Sequence, residues 1–257
     1  MAEATSSFPD FRRFHHHRGA NYQTVLKNAH AFLRPDWYLE VGVNTGSTIT
    51  LAERCVIGVD PNFKFSADVV GKKEKLFLFQ QTSDAFFAGT DVPALAGGPI
   101  DIAFLDGLHE AEVLLRDIFN TERLCGPNSV IFLHDCLPGD IYMARRHQFD
   151  AEIRKLTPHP ATWTGDVWKA LAILQKYRKD LTITCLDAGP TGLVALSNLD
   201  PHSTVLPDAY DDLFAEIQAM ETTHETLKAF LAACNITSTA RVASEAEMRE
   251  TFGLKAA

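Results

Sequence analysis

The segment from Tyr38 to Asp60 constrains this chain more than any other. An apolar run, Trp37 to Val41, meets Gly42, a looser turn carries Gly46, and a second apolar run, Val56 to Val59, ends on Asp60. Short apolar runs bounded by glycine and polar residues read as buried strands. The residues from Ser47 onward, between the two runs, read as a helix. Gly42 and Gly46 permit a sharp turn and a close approach of ligand to backbone. Ser47 and Thr48, opening the helix, would offer unpaired N–H groups to an anionic group. Asp60, acceptor-only when ionised, matches the two hydroxyls of a ribose. These features suit a cofactor that contains a nucleoside.

The glycine spacing excludes two common nucleotide sites. A Gly-x-Gly-x-x-Gly fingerprint starting at Gly42 would need glycines where Asn44 and Ser47 stand, and no Gly-Lys-Ser/Thr follows for a P-loop. What stands is Glu40-x-Gly42-x-x-x-Gly46, with an acid inside the first strand. That pattern resembles motif I of the class I S-adenosylmethionine (SAM)-dependent methyltransferases. The resemblance implies that the turn formed by Glu40, Gly42, Gly46 and Ser47 holds the methionyl end of SAM, and that Asp60 holds its ribose. The competing reading is an αβ turn in another doubly wound fold.

Composition narrows the partners. A net charge of −9 and a pI near 5.5 argue against a nucleic-acid surface. The small basic cluster Arg145-Arg146-His147 reads as a solvated face, with contact to an anionic acceptor as the alternative. No apolar run approaches membrane-spanning length. Five scattered cysteines without a C-x-x-C pair, and a start lacking a signal-peptide core, lead us to expect a reduced, cytoplasmic protein.

Along the chain, residues 1–34 read as an arm and a helix (Asn21 to Leu33), and residues 35–200 as the cofactor-binding domain. Strands are expected at Lys75 to Gln81, at Ile100 to Leu105 ending on Asp106, and at Ser129 to Leu133 ending on His134-Asp135. Helices are expected at Glu110 to Leu124 and Asp166 to Lys179. Leu181 to Leu186 and Leu193 to Leu199 are strands joined by a turn too short for a crossover helix, so they run antiparallel. The fold expected is α/β, a seven-stranded, mostly parallel sheet with one antiparallel strand and helices on both faces. That topology looks like the Rossmann-like class I methyltransferase fold. Residues 136–165 form an irregular acceptor-site region, with Trp163 and Lys169 as candidates for a lid. Residues 201–257 form a helical extension (Tyr210 to His224, Glu225 to Ala233, Ser244 to Phe252) suited to packing or to homo-oligomer contact.

A second signal lies at two strand ends, in Asp106-Gly107-Leu108-His109 and His134-Asp135. Together they resemble the Asp-Gly-x-His and His-Asp pair of a small-molecule O-methyltransferase subgroup related to catechol-type, macrolide-sugar and cephalosporin-pathway enzymes. The resemblance implies methyl transfer to a hydroxyl of a small molecule or sugar. It implies Asp106 and Asp135, with His134 as a third, as ligands of a divalent metal (Mg, Mn or other). It places His109 as the base beside Asp106, which also meets the cofactor, and Ser83 and Asp84 beside the adenine ring. The imidazole of His134 suits Zn²⁺, Fe²⁺ or Mn²⁺ better than Mg²⁺. Competing readings make Asp106 and Asp135 cofactor contacts, helix caps or groups that hold the site together by hydrogen bonds, and Ser83-Asp84 a plain cap. At the level of the whole chain the alternatives are a SAM- or nucleotide-binding regulatory module without catalysis and a Rossmann-type oxidoreductase.

Overall fold

The structure, a computed structural model, describes residues 17–148, 157 and 159–255. The amino-terminal arm expected before His17, and residues 149–156 and 158 of the acceptor region, lie outside the described residues.

Seven strands form one sheet: β1 (Trp37–Val41), β2 (Cys55–Val59), β3 (Lys75–Phe79), β4 (Ile100–Leu105), β5 (Cys125–His134), β6 (Thr182–Leu186) and β7 (Leu193–Ser197). Their spatial order is β3-β2-β1-β4-β5-β7-β6. β1 pairs in parallel with both β2 and β4, whereas β7 runs antiparallel to β5 and β6. Every residue of β1, β2 and β7 is buried, as expected of strands covered on both faces, which read as apolar runs without alternation. The chain starts at β1, winds outward to β3 and returns through β4. The strand order therefore reverses between β1 and β4, where a crevice opens at the carboxyl ends.

Alternation along β1 separates the two cores. Leu39, with Ile57, Phe86, Leu114, Ile118 and Leu171, belongs to the core under α2 (Ser83–Gly89), α3 (Val92–Ala96), α4 (Ala111–Glu122) and α5 (Trp168–Tyr177). Tyr38, with Val25, Leu26, Val56, Phe104 and Phe132, belongs to the core under α1 (Tyr22–Leu33). The carboxyl-terminal helices divide between the faces. Leu206, Leu213 and Ile217 of α6 (Val205–Asp208) and α7 (Tyr210–Ala219), and Leu227 and Phe230 of α8 (His224–Ala233), join the first core. Met248 and Phe252 of α9 (Glu245–Phe252) join the second. Each such side chain contributes about 1.5–3 kcal/mol by leaving water, so the extension is integral to both cores. Among the described residues, no helix is long and apolar enough to cross a membrane.

One expected element is different. Between β1 and β2 there is no α-helix, only a 3₁₀ turn at Ile49–Leu51. The three consecutive β-branched residues Thr48, Ile49 and Thr50 disfavour a helix interior, and the segment is too short for a full crossover helix. Ile49 turns inward to full burial instead. The anion-binding helix end expected at Ser47 and Thr48 is consequently absent.

Candidate active site

The ends of β1 and β4 meet so closely that only glycine fits between them. Gly42 has φ +89°, and a Cβ there would lie 1.9 Å from the Asp106 carbonyl oxygen. Asp106 N donates to Val41 O at 2.9 Å and Gly42 N to Val59 O at 2.8 Å, so three strand ends are tied together. Asp60 is 8% exposed. Its Oδ2 accepts from Asn44 N at 2.8 Å and its Oδ1 from Asn62 N at 2.7 Å. Each oxygen keeps a lone pair on the wall of a crevice of about 840 Å³. Gly42, Asp60, Ser83, Asp84, Asp106, His109, His134 and Asp135 all line that crevice, together with Arg116.

Glu40, Gly46 and Ser47 do not line it. Glu40 is fully buried, its Oε2 accepting from the Tyr38 hydroxyl and its Oε1 from the Thr48 hydroxyl, each at 2.6 Å. Burial pushes its carboxyl up to about 8 against the pull of those two donors. Glu40 braces β1 to the turn from beneath. Gly46, at φ +84°, makes room for Val69, whose Cγ1 would lie 2.5 Å from an added Cβ. Ser47 is exposed, with Gln23 Nε2 3.4 Å from its hydroxyl.

In the same crevice two histidines and two acids converge. His134 Nδ1 lies 3.1 Å from Asp106 Oδ1 and 3.4 Å from Asp135 Oδ2. His109 Nε2 lies 3.5 Å from Asp106 Oδ1 and 3.3 Å from Asp135 Oδ2. Asp135 reaches inward from a left-handed backbone (φ +59°). The His134 ring is packed on Tyr22 at 4.1 Å between centroids. Burial opposes charge on both imidazoles, but the neighbouring carboxylates outweigh it and raise both pKa values above the ordinary histidine range. Burial likewise opposes ionisation of Asp106, and the two histidines outweigh it, leaving its carboxyl below the usual range. Asp106, His134 and Asp135 each offer a ligand atom within 4.8 Å of the others. Two carboxylate oxygens and an imidazole nitrogen are a chemically competent donor set for a divalent transition ion.

Several partners of these groups come from distant sequence. His109 Nδ1 lies 3.1 Å from the Trp163 carbonyl oxygen, and the two rings stack at 4.9 Å. A carbonyl can only accept, so Nδ1 carries the proton and neutral His109 presents a bare Nε2 to the crevice. Gly165 (φ +61°) permits this approach, since a Cβ there would fall 1.9 Å from His109 O. Arg146 is a clamp rather than a solvated face: its guanidinium contacts Glu110 at 2.9 Å, Glu112 at 2.9 Å and Asp166 at 3.3 Å. Lys169 is buried and sits 3.4 Å from Asp166, so it is a brace and not a lid. No local sequence signal marks Arg116, which grips Asp84 through two hydrogen bonds of 2.7 Å each.

Residues 39–136 match a family described as a methyltransferase domain. With the sheet order and the crevice at its reversal point, that match makes this segment similar to a methyltransferase domain. No curated protein matches the chain by sequence. Among solved structures, the SAH-bound methyltransferase PaMTH1 of Podospora anserina is 13% identical, over 70% of this chain and 78% of that one, with a TM-score of 0.48. The O-methyltransferase TomG of Streptomyces achromogenes, involved in tomaymycin synthesis and bound to SAM, is 17% identical over 68% and 79%, with a TM-score of 0.47. An O-methyltransferase from Bacillus cereus in complex with SAH is 14% identical over 68% and 80%, with a TM-score of 0.44. At these scores the likenesses add nothing to the chemistry of the site.

Proposed function

We propose that this domain methylates a hydroxyl of a small molecule or sugar. The observation that carries the reading is a shared lining: the Gly42 turn, Asp60 and the histidine–acid cluster all face one crevice. In this reading Asp60 accepts from the ribose hydroxyls, and the backbone of the turn at Gly42 borders the amino-acid tail of the cofactor. Ser83 and Asp84 border the base, and Asp106 stands between donor and acceptor. Residues 35–200 carry the chemistry, and the described part of 136–165 supplies the acceptor wall. The acidic chain suits a small-molecule acceptor, and a cytoplasmic location fits its five free cysteines.

Transfer requires alignment and removal of one proton. The acceptor hydroxyl gives its proton to His109 Nε2 as its oxygen takes the methyl group, and the carbon–sulfur bond breaks to leave a neutral thioether. Asp106 and Asp135, both within 3.5 Å of Nε2, stabilise the imidazolium that forms. Asp106, His134 and Asp135 would hold a divalent cation, which when bound would lower the pKa of the acceptor hydroxyl.

Calorimetric titration with S-adenosylhomocysteine (SAH), followed by a panel of phenols and sugars with mass-spectrometric detection, tests this. Saturable SAH binding with methylation of at least one hydroxyl supports it. Tight SAH binding with no transfer to any acceptor would favour a non-catalytic module.

A further inference from the structure

Tyr210 connects the carboxyl-terminal helices to the crevice. It is the first residue of α7, and its hydroxyl accepts a hydrogen bond from Arg116 Nη1 while donating one to the Glu112 carbonyl at 3.3 Å. The guanidinium carbon lies 5.6 Å from the Tyr210 ring centroid, and Phe119 packs edge-on against that ring at 6.0 Å. The other edge of Arg116 grips Asp84, Nε to Oδ1 and Nη2 to Oδ2, both at 2.7 Å. Arg116 and Asp84 line the crevice, and Tyr210 stands behind them.

The fork has a geometric consequence. A half-exposed aspartate near the start of α2 has several rotamers open to it, and a two-point grip selects one. Arg116 is itself a long, mobile side chain. Its remaining Nη1 is fixed by the Tyr210 hydroxyl and, at 3.4 Å, by the Glu112 carbonyl. The orientation of Asp84 is thus set from the extension. Held this way, the carboxylate keeps lone pairs facing the crevice and can only accept. It therefore favours a base bearing an exocyclic amine over one bearing a carbonyl oxygen at the same place.

We propose that Tyr210 is a positioning residue for cofactor recognition: through Arg116 it holds Asp84 as the acceptor for the exocyclic amine of the base, making the helical extension part of the nucleoside site. The inference rests on the reading of this crevice as the SAM site.

The test compares SAH with S-inosylhomocysteine, which carries an oxygen in place of the amine, by calorimetry on the full chain. The wild type should prefer SAH. Tyr210→Phe removes only the hydroxyl and should weaken SAH by about three- to tenfold, the range for one intramolecular hydrogen bond. The inosine analogue should bind both proteins alike, and the KM for SAM should rise while kcat holds. Arg116→Gln should show the same selective loss, more strongly, and serves if Tyr210→Phe does not fold. Equal SAH affinity in wild type and variants, or an equal loss for both ligands, would overturn the role of Tyr210. A wild type that binds neither nucleoside would instead overturn the cofactor reading, and this proposal with it.

Discussion

Trp163 holds His109 twice, by a ring stack at 4.9 Å and by a backbone carbonyl 3.1 Å from Nδ1. That pairing decides which nitrogen is available for chemistry. His109→Gln is expected to lower kcat by about 10²–10⁴-fold, the usual worth of a positioned base, with SAH affinity unchanged. The pH dependence has a definite sign. The base must be neutral to act, and Asp106 and Asp135 raise its pKa above the ordinary value. Activity should therefore rise with pH along a limb centred above about 6.5, and that limb should vanish in His109→Gln. A pH–rate profile of both proteins checks it.

Asp60 fixes the turn and faces the crevice with the same carboxylate. Asp60→Ala should reduce SAH affinity by about tenfold or more, since hydrogen bonds to a charged group contribute about 1.5–3 kcal/mol. It also leaves Asn44 N and Asn62 N without their acceptor. Calorimetry with SAH beside a urea melt separates the two effects, and unchanged affinity would remove Asp60 from the site.

The cluster of Asp106, His134 and Asp135 makes a prediction independent of any acceptor. Mn²⁺ titrated into chelator-treated wild type should bind saturably, and Asp106→Asn and Asp135→Asn should each abolish that binding. Calorimetry or Mn²⁺ electron paramagnetic resonance reads the result. No binding by the wild type would leave these three side chains, with His109, as a proton-handling cluster alone.

Glu40 is a stability prediction. Its folded pKa of about 8 exceeds the ordinary carboxylate value because the group is buried. The folded state holds the proton more tightly than the unfolded chain. Its contribution is therefore full below about 4.3 and is lost as pH rises through about 8. Glu40→Gln should remove this dependence. Whatever the substitution costs at pH 5 should shrink by pH 9, and melting temperatures of the two proteins across that range measure it.

Much of this molecule follows from local pattern. The apolar runs at Trp37–Val41, Cys55–Val59, Ile100–Leu105 and Leu193–Ser197 are strands because such runs leave water only in a sheet covered on both faces. The short link from Asp187 to Gly192 forces β6 and β7 antiparallel. Parallel strands also gather their carboxyl ends, which is why Asp60, Asp106 and His134-Asp135 reach one crevice. Sequence alone determined these features, because burial and chain reach act through neighbouring residues. Tertiary structure decided the rest. It placed Glu40 beneath the turn, replaced the expected helix after Gly46 with a 3₁₀ turn, and brought Trp163 to His109, Arg146 to Glu112 and Tyr210 to Arg116. Those partners stand 34 to 94 positions apart. Periodicity reports that a side chain is buried or solvated, but only packing of whole elements determines which polar group meets another.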